Sequence, residues 1–250
     1  TIGVFIGSAA LMAVFLWNET RSRSPLVPLS IFRRRTLTGA NVIGFGLGTM
    51  IFGMFFLLSL YMQQVLGFSA METGLGYLAV ALTVIVAATI SQGLVTRLGV
   101  KPVLVVGMGL LTLGLIYFTQ VSVGGSYATD LLPGFLIIGV GMGFSFVPIS
   151  IAALAGVQGP EAGLASGLIN TSQQIGGALG LALLTTVATT RTTDLLEGGT
   201  PQAEALTSGF SLGFWVAVGF GVISFLTTIA VLRQRDIPAV SGEAAPAPAA

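Results

Sequence analysis

Residues 37–61 read LTGANVIGFGLGTMIFGMFFLLSLY, a run with no charged side chain from end to end. A hydrocarbon core about 30 Å thick is crossed by about 20 residues of helix rising about 1.5 Å each, so this run can span a bilayer. In lipid every backbone N–H and C=O must be paired within its own segment, which makes helix the conformation to expect. Runs of the same kind follow at 74–96, 102–119, 129–151, 162–189 and 209–232, and a shorter one fills 1–17. The pattern predicts an all-α polytopic membrane protein.

Composition agrees with that reading. The 250 residues are 54% hydrophobic and 8% charged, with a mean hydropathy of +0.95. Soluble chains carry about 25% charged residues. Cysteine and histidine are both absent. Thiolate or imidazole metal sites, disulfides and Ser-His or Cys-His catalysis are thereby excluded. No Walker-type phosphate loop occurs, and the spans offer no nucleophile–base pair, so the expectation is no enzyme, no metal and no cofactor. The chain opens at Thr1, already within the apolar run Ile2 to Trp17, and we read it as part of a longer protein.

Basic residues set the orientation. Alternating the seven spans puts Arg21, Arg23, Arg33, Arg34, Arg35, Arg97, Lys101, Arg233 and Arg235 on one face, and only Arg191 on the other. Lys and Arg are retained in cytoplasmic loops, so the first face is predicted cytoplasmic and the C-terminus lies inside. At a net charge of +1 these residues mark topology; they are not a nucleic-acid-binding patch. The connection 18–36 contains the short apolar stretch Pro25–Phe32, expected to lie in the headgroup region of the bilayer with the arginines toward lipid phosphate. Residues 233–250 end in SGEAAPAPAA, a disordered-tail composition.

Inside the spans, four glycine pairs stand four residues apart: Gly44 and Gly48, Gly139 and Gly143, Gly163 and Gly167, Gly176 and Gly180. That spacing puts small residues on one helix face, where two backbones can approach, either as static packing or as a sliding surface. Pro148 removes a helical hydrogen bond near the cytoplasmic end of 129–151; a hinge and a fixed bend beside Ser145 both fit it. No acidic residue sits at mid-depth. Glu72 closes a Ser69-x-x-Glu72 capping box, and Asp130 and Glu161 stand at helix starts, where the dipole favours an anion. The fullest polar constellation is in 162–189, with Ser166, Asn170, Gln173 and Gln174 at helical spacing. Such groups must meet protein or water, so inter-helix hydrogen bonding and cavity lining are both open. On 37–61, Asn41 with Phe45, Phe52, Phe55 and Phe56 forms a second polar and aromatic wall.

These residues resemble a known family. QGLVTRLGVKP, at a cytoplasmic turn, is similar to the G-x-L-x-D-R-x-G-R loop signature of the major facilitator superfamily. Leu94, Arg97, Gly99 and Lys101 carry the match, while Gln92 replaces the first Gly and Thr96 the Asp, as in a degenerate second-half copy. YMQQVLGFSAMETGL, the Gly139-Val-Gly141-Met-Gly143 helix with its later Pro148, and EAGLASGLINTSQQIGGALG resemble the fourteen-helix drug:proton antiporters of the EmrB/QacA type.

The resemblance implies a layout. Residues 1–17 would be a partial linker helix, 18–36 a cytoplasmic connection, 37–232 the C-terminal six-helix bundle and 233–250 a tail. The N-terminal six-helix bundle, the lipid bilayer, protons and small amphipathic or cationic organic substrates are the partners it implies. Spans 37–61, 74–96, 129–151 and 162–189 would line a central cavity, with Asn41, Phe45, Phe52, Phe56, Ser145, Asn170, Gln173 and Gln174 facing substrate. Arg97, Gly99, Lys101 and Pro148 would serve gating, the Arg97–Lys101 turn acting as a latch. The expected activity is proton-coupled multidrug efflux by alternating access in the plasma membrane. Transport of one specific metabolite on the same fold, or a non-transporting scaffold, stand as alternatives.

Overall fold

The computed structural model describes residues 2–22, 31, 35–155 and 161–232. Apart from Ile31, the interfacial stretch expected at 25–32 lies outside the described residues, as do the tail 233–250 and Arg23, Arg33, Arg34, Arg233 and Arg235. Among the described residues the chain forms helices α1 Ile2–Arg21, α2 Arg35–Gln64, α3 Ala70–Gly76, α4 Leu78–Leu98, α5 Val100–Phe118, α6 Leu132–Leu154, α7 Glu161–Glu197 and α8 Gln202–Val231. A π turn, Tyr127–Leu131, leads into α6.

Helix occupies every predicted span. Among the described residues, five stretches are long and apolar enough to cross a membrane: Arg35–Gln64, Ala70–Leu98, Val100–Phe118, Tyr127–Leu154 and Gln202–Val231. The 37-residue α7 is not among them, because Asn170, Thr171, Ser172, Gln173 and Gln174 interrupt its apolar character. At about 1.5 Å per residue it is about 55 Å long, more than a bilayer requires. A helix of that polarity cannot face lipid on all sides.

The span expected at 74–96 is not one helix. It starts with the predicted capping box: the Ser69 hydroxyl accepts from the Glu72 N–H at 3.2 Å, and Glu72 Oε2 accepts from the Ser69 N–H at 2.8 Å. The helix then breaks at Tyr77 and resumes as α4. Tertiary contacts hold the break. The Tyr77 ring lies 4.8 Å from Phe55 and 5.4 Å from Phe135, its hydroxyl donates to the Phe55 carbonyl at 2.7 Å, and the Tyr127 hydroxyl donates to the Gly76 carbonyl at 2.7 Å. Around Phe135 the rings of Phe118 at 5.6 Å and Tyr127 at 6.2 Å complete an aromatic cluster joining five elements.

Helix α2 packs most extensively on α7 and also on α8, while α6 packs on α4 and α5. Helix α8 closes the bundle against α5 and α7. The margins are α4 and α7. On α4 only Val80, Ala87, Ser91 and Val95 are buried, a single stripe facing α6. At the opposite end of the bundle, Arg35 donates to the Ala230 carbonyl at 2.9 Å and Lys101 to the Ile229 carbonyl at 2.8 Å. Two cations thus cap the negative end of α8.

Candidate functional site

Three of the four glycine pairs lie at helix contacts. On α2, a Cβ added to Gly48 would stand 2.0 Å from the Gln173 carbonyl oxygen, and one on Gly44 2.9 Å from Ile169. On α7, a Cβ on Gly176 would lie 2.0 Å from the Phe45 carbonyl oxygen, and one on Gly180 2.3 Å from Thr49. Backbone therefore rests on backbone between α2 and α7. Gly139 and Gly143 meet Thr83 and Ala87 of α4 in the same way. Gly163 and Gly167 face open space.

The close approach of α2 and α7 permits cross-helix hydrogen bonds. Ser172 donates to Asn41 Oδ1 at 2.6 Å, Asn41 Nδ2 donates to the Leu37 carbonyl at 2.9 Å, and Thr49 donates to the Gly176 carbonyl at 2.8 Å. Asn41 is 9% exposed. The structure places this expected cavity amide in the packing: its Oδ1 serves the α2–α7 contact and its Nδ2 bonds back along α2.

Ser145, also expected to face the cavity, is placed in a helix contact. It is fully buried, donates to the Gly141 carbonyl at 2.7 Å, and lies where a Cβ on Gly107 of α5 would meet its oxygen at 2.6 Å. Its side chain is used in packing α6 on α5. Phe45 is half-buried with its ring 6.4 Å from Phe220 of α8, and so serves packing as well.

What remains open is narrower than expected. Phe52 and Phe56 are 46% and 39% exposed and line, with Ile51, Phe55, Ser59 and Leu181, a concavity of about 490 Å³ between α2 and α7. Asn170 and Gln174 are exposed on α7, and Gln173 is half-buried against α2. The polar constellation of 162–189 is divided: Asn170 and Gln174 point away from the helix contact that Gln173 and Ser172 enter. Ser166 is exposed beside Gly163 and Gly167, on the same open side.

The expected gating residues also separate. Gly99 is the single residue joining α4 to α5, at φ 88 and ψ 169, a conformation reserved for glycine. Arg97 is exposed two residues before it. Lys101, half-buried, reaches the α8 carbonyls instead of standing free beside Arg97. Pro148 is buried within a helix that continues to Leu154. Lacking an N–H, it leaves the Phe144 carbonyl without its helical donor. Gly107 of α5 approaches that carbonyl so closely that a Cβ there would meet its oxygen at 2.7 Å.

Sequence reasoning missed the tyrosines. All four donate to a backbone carbonyl of another segment: Tyr61 to Ser122 at 2.7 Å, Tyr77 to Phe55, Tyr117 to Thr129 and Tyr127 to Gly76. Their position at span ends, where amphipathic rings favour the interface, was the available signal. Among the described residues no three His, Cys, Asp or Glu side chains gather to hold a metal ion.

Comparison with known proteins follows the same line. The family description Major Facilitator Superfamily matches residues 1–181. A puromycin resistance protein of Streptomyces alboniger is 32% identical over 222 residues, covering 87% of this chain and 44% of that protein. A lincomycin resistance protein of Streptomyces lincolnensis is 29% identical, covering 95% and 47%. A multidrug resistance protein B homolog of Mycobacterium tuberculosis is 32% identical, covering 93% and 43%. The chain spans about half the length of the curated relatives it matches. Helices that cross a membrane, a glycine-packed bundle and the family match over most of the length agree: this multi-pass membrane chain belongs to the major facilitator superfamily.

Proposed function

We propose that the chain is the C-terminal half of a proton-coupled efflux transporter that exports small amphipathic or cationic organic molecules by alternating access. Residues 1–17 then form a linker helix, 18–36 a cytoplasmic connection, 37–232 the transporter bundle and 233–250 a cytoplasmic tail. The whole lies in the plasma membrane with its C-terminus inside, facing an N-terminal six-helix bundle across the cavity.

One observation carries this reading. The helix least suited to lipid, α7, directs Asn170 and Gln174 to the open side of the bundle, next to the aromatic concavity of Phe52 and Phe56. Exposed rings supply apolar area and the amides adaptable hydrogen bonds, a combination suited to varied substrates. The antibiotic and multidrug resistance named in the relatives supports the same direction of use. Acidic residues of the described spans stand at helix ends, so the proton carrier is assigned to the other half.

The test uses inside-out vesicles bearing the full-length transporter and ethidium as substrate. An acidic lumen should drive ethidium accumulation, and an uncoupler should abolish it. Accumulation indifferent to the pH gradient would remove proton coupling, and no accumulation at all would remove efflux.

A further inference from the structure

Helices α4 and α6 run parallel, as the successive contacts of Gly139 with Thr83 and Gly143 with Ala87 show. Toward their C-terminal ends the packing opens. Gln92, Val95 and Thr96 of α4 and Phe146, Val147 and Ser150 of α6 line a groove of about 550 Å³, within the range of about 300–1,000 Å³ usual for small-molecule sites. It lies apart from the α2–α7 concavity, which shares none of its lining residues.

We propose that this groove is a second binding site, for an uncharged, largely apolar molecule that carries a hydrogen-bond donor. The inference rests on the reading of the chain as half of an exporter. The floor is apolar, and the rim is made of neutral acceptors. Ser150 spends its hydroxyl proton on the Phe146 carbonyl at 2.9 Å, and Thr96 spends its own on the Gly93 carbonyl at 2.8 Å. Each then offers a visitor lone pairs only. Gln92 is exposed and adds a neutral amide. Ser91, one residue earlier, is fully buried, and its Oγ finds no partner among the described residues, so polar demand beside the groove is unmet.

Charge argues against a cation. No carboxylate lines the groove, and Arg97 follows Thr96 in the chain. A positive body brought into this low-dielectric setting would meet no counter-charge among the lining residues.

The test takes the full-length transporter, purified in detergent, and two probes: neutral N-phenyl-1-naphthylamine, which has one N–H donor, and the cation tetraphenylphosphonium. Val147→Trp fills the groove and should weaken binding of the neutral probe by about tenfold or more, while the cation changes by less than about twofold. Unchanged neutral binding, or equal loss for both probes, would overturn the proposal. If Val147→Trp fails to fold, Val147→Cys decides, made in full-length protein with every cysteine outside these 250 residues replaced; the 250 residues themselves contain none. Maleimide labelling at that position should be slowed by the neutral probe and unaffected by the cation. A thiol unreactive under every condition would mean that polypeptide fills the groove, and would also overturn it. Gradient-driven ethidium transport in the same preparation is scored separately, so loss of this site and loss of the exporter reading are told apart.

Discussion

Gly176 and Gly167 are chemically identical and sit on one helix, yet their surroundings assign them opposite tolerances. At Gly176 a methyl group would strike the Phe45 carbonyl at 2.0 Å, where no rotamer can move aside. Relief would require α2 and α7 to separate. Gly176→Ala should therefore destabilise the transporter by about 1–3 kcal/mol, the usual cost of overpacking. Gly167→Ala meets nothing within 4 Å and should leave the thermal midpoint unchanged or raise it slightly. Unfolding curves of the two variants in one detergent compare them directly, and equal midpoints would refute this packing. Gly99 is sensitive for a different reason. At φ 88 any side chain is strained, so Gly99→Ala should cost about 1–3 kcal/mol whatever space surrounds it. An unaltered midpoint in that variant would mean the α4–α5 turn adopts another conformation.

At the scale of elements, the pairing of α2 with α7 sets which polar groups are free. Asn41 stands three residues before Gly44 and seven before Gly48, so all three share a face, and that face meets α7. Ser172 and Gln173 stand four and three residues before Gly176 and fall on the corresponding face of α7; Asn170 and Gln174 fall off it. The division between packing and open polar groups was therefore legible, had glycine spacing been used to orient each helix first. Ser145 follows the same logic, four residues after Gly141, which packs on Leu111 of α5. Hydropathy could show that the spans exist. It could not show the break at Tyr77, because ring contacts and hydroxyl-to-carbonyl bonds hold that break while the residues on either side stay apolar. The Ser172–Asn41 bond has a measurable value. Ser172→Ala leaves the buried Asn41 carbonyl short of its donor and should cost about 1 kcal/mol. In a double-mutant cycle with Asn41→Ala the two losses should be less than additive. Full additivity would mean that the bond does not form.

Across the whole molecule, the bundle is fastened at both ends and open along one side. Four tyrosines and the cluster around Phe135 tie one end, and Arg35 and Lys101 cap α8 at the other. A half so fixed is suited to move as one body against a partner, which is what alternating access asks of it. The open side carries Phe52 and Phe56 of α2 with Asn170 and Gln174 of α7. Our central claim is that this side faces the transported molecule, and transport by the Asn170→Ala, Gln174→Ala double variant tests it most directly. The full-length protein would be assayed in inside-out vesicles with a panel of substrates at matched expression. The account predicts a changed substrate profile, with uptake of hydrogen-bonding compounds lowered by about fivefold or more and purely apolar ones largely retained. A profile identical to that of the unaltered transporter would contradict it.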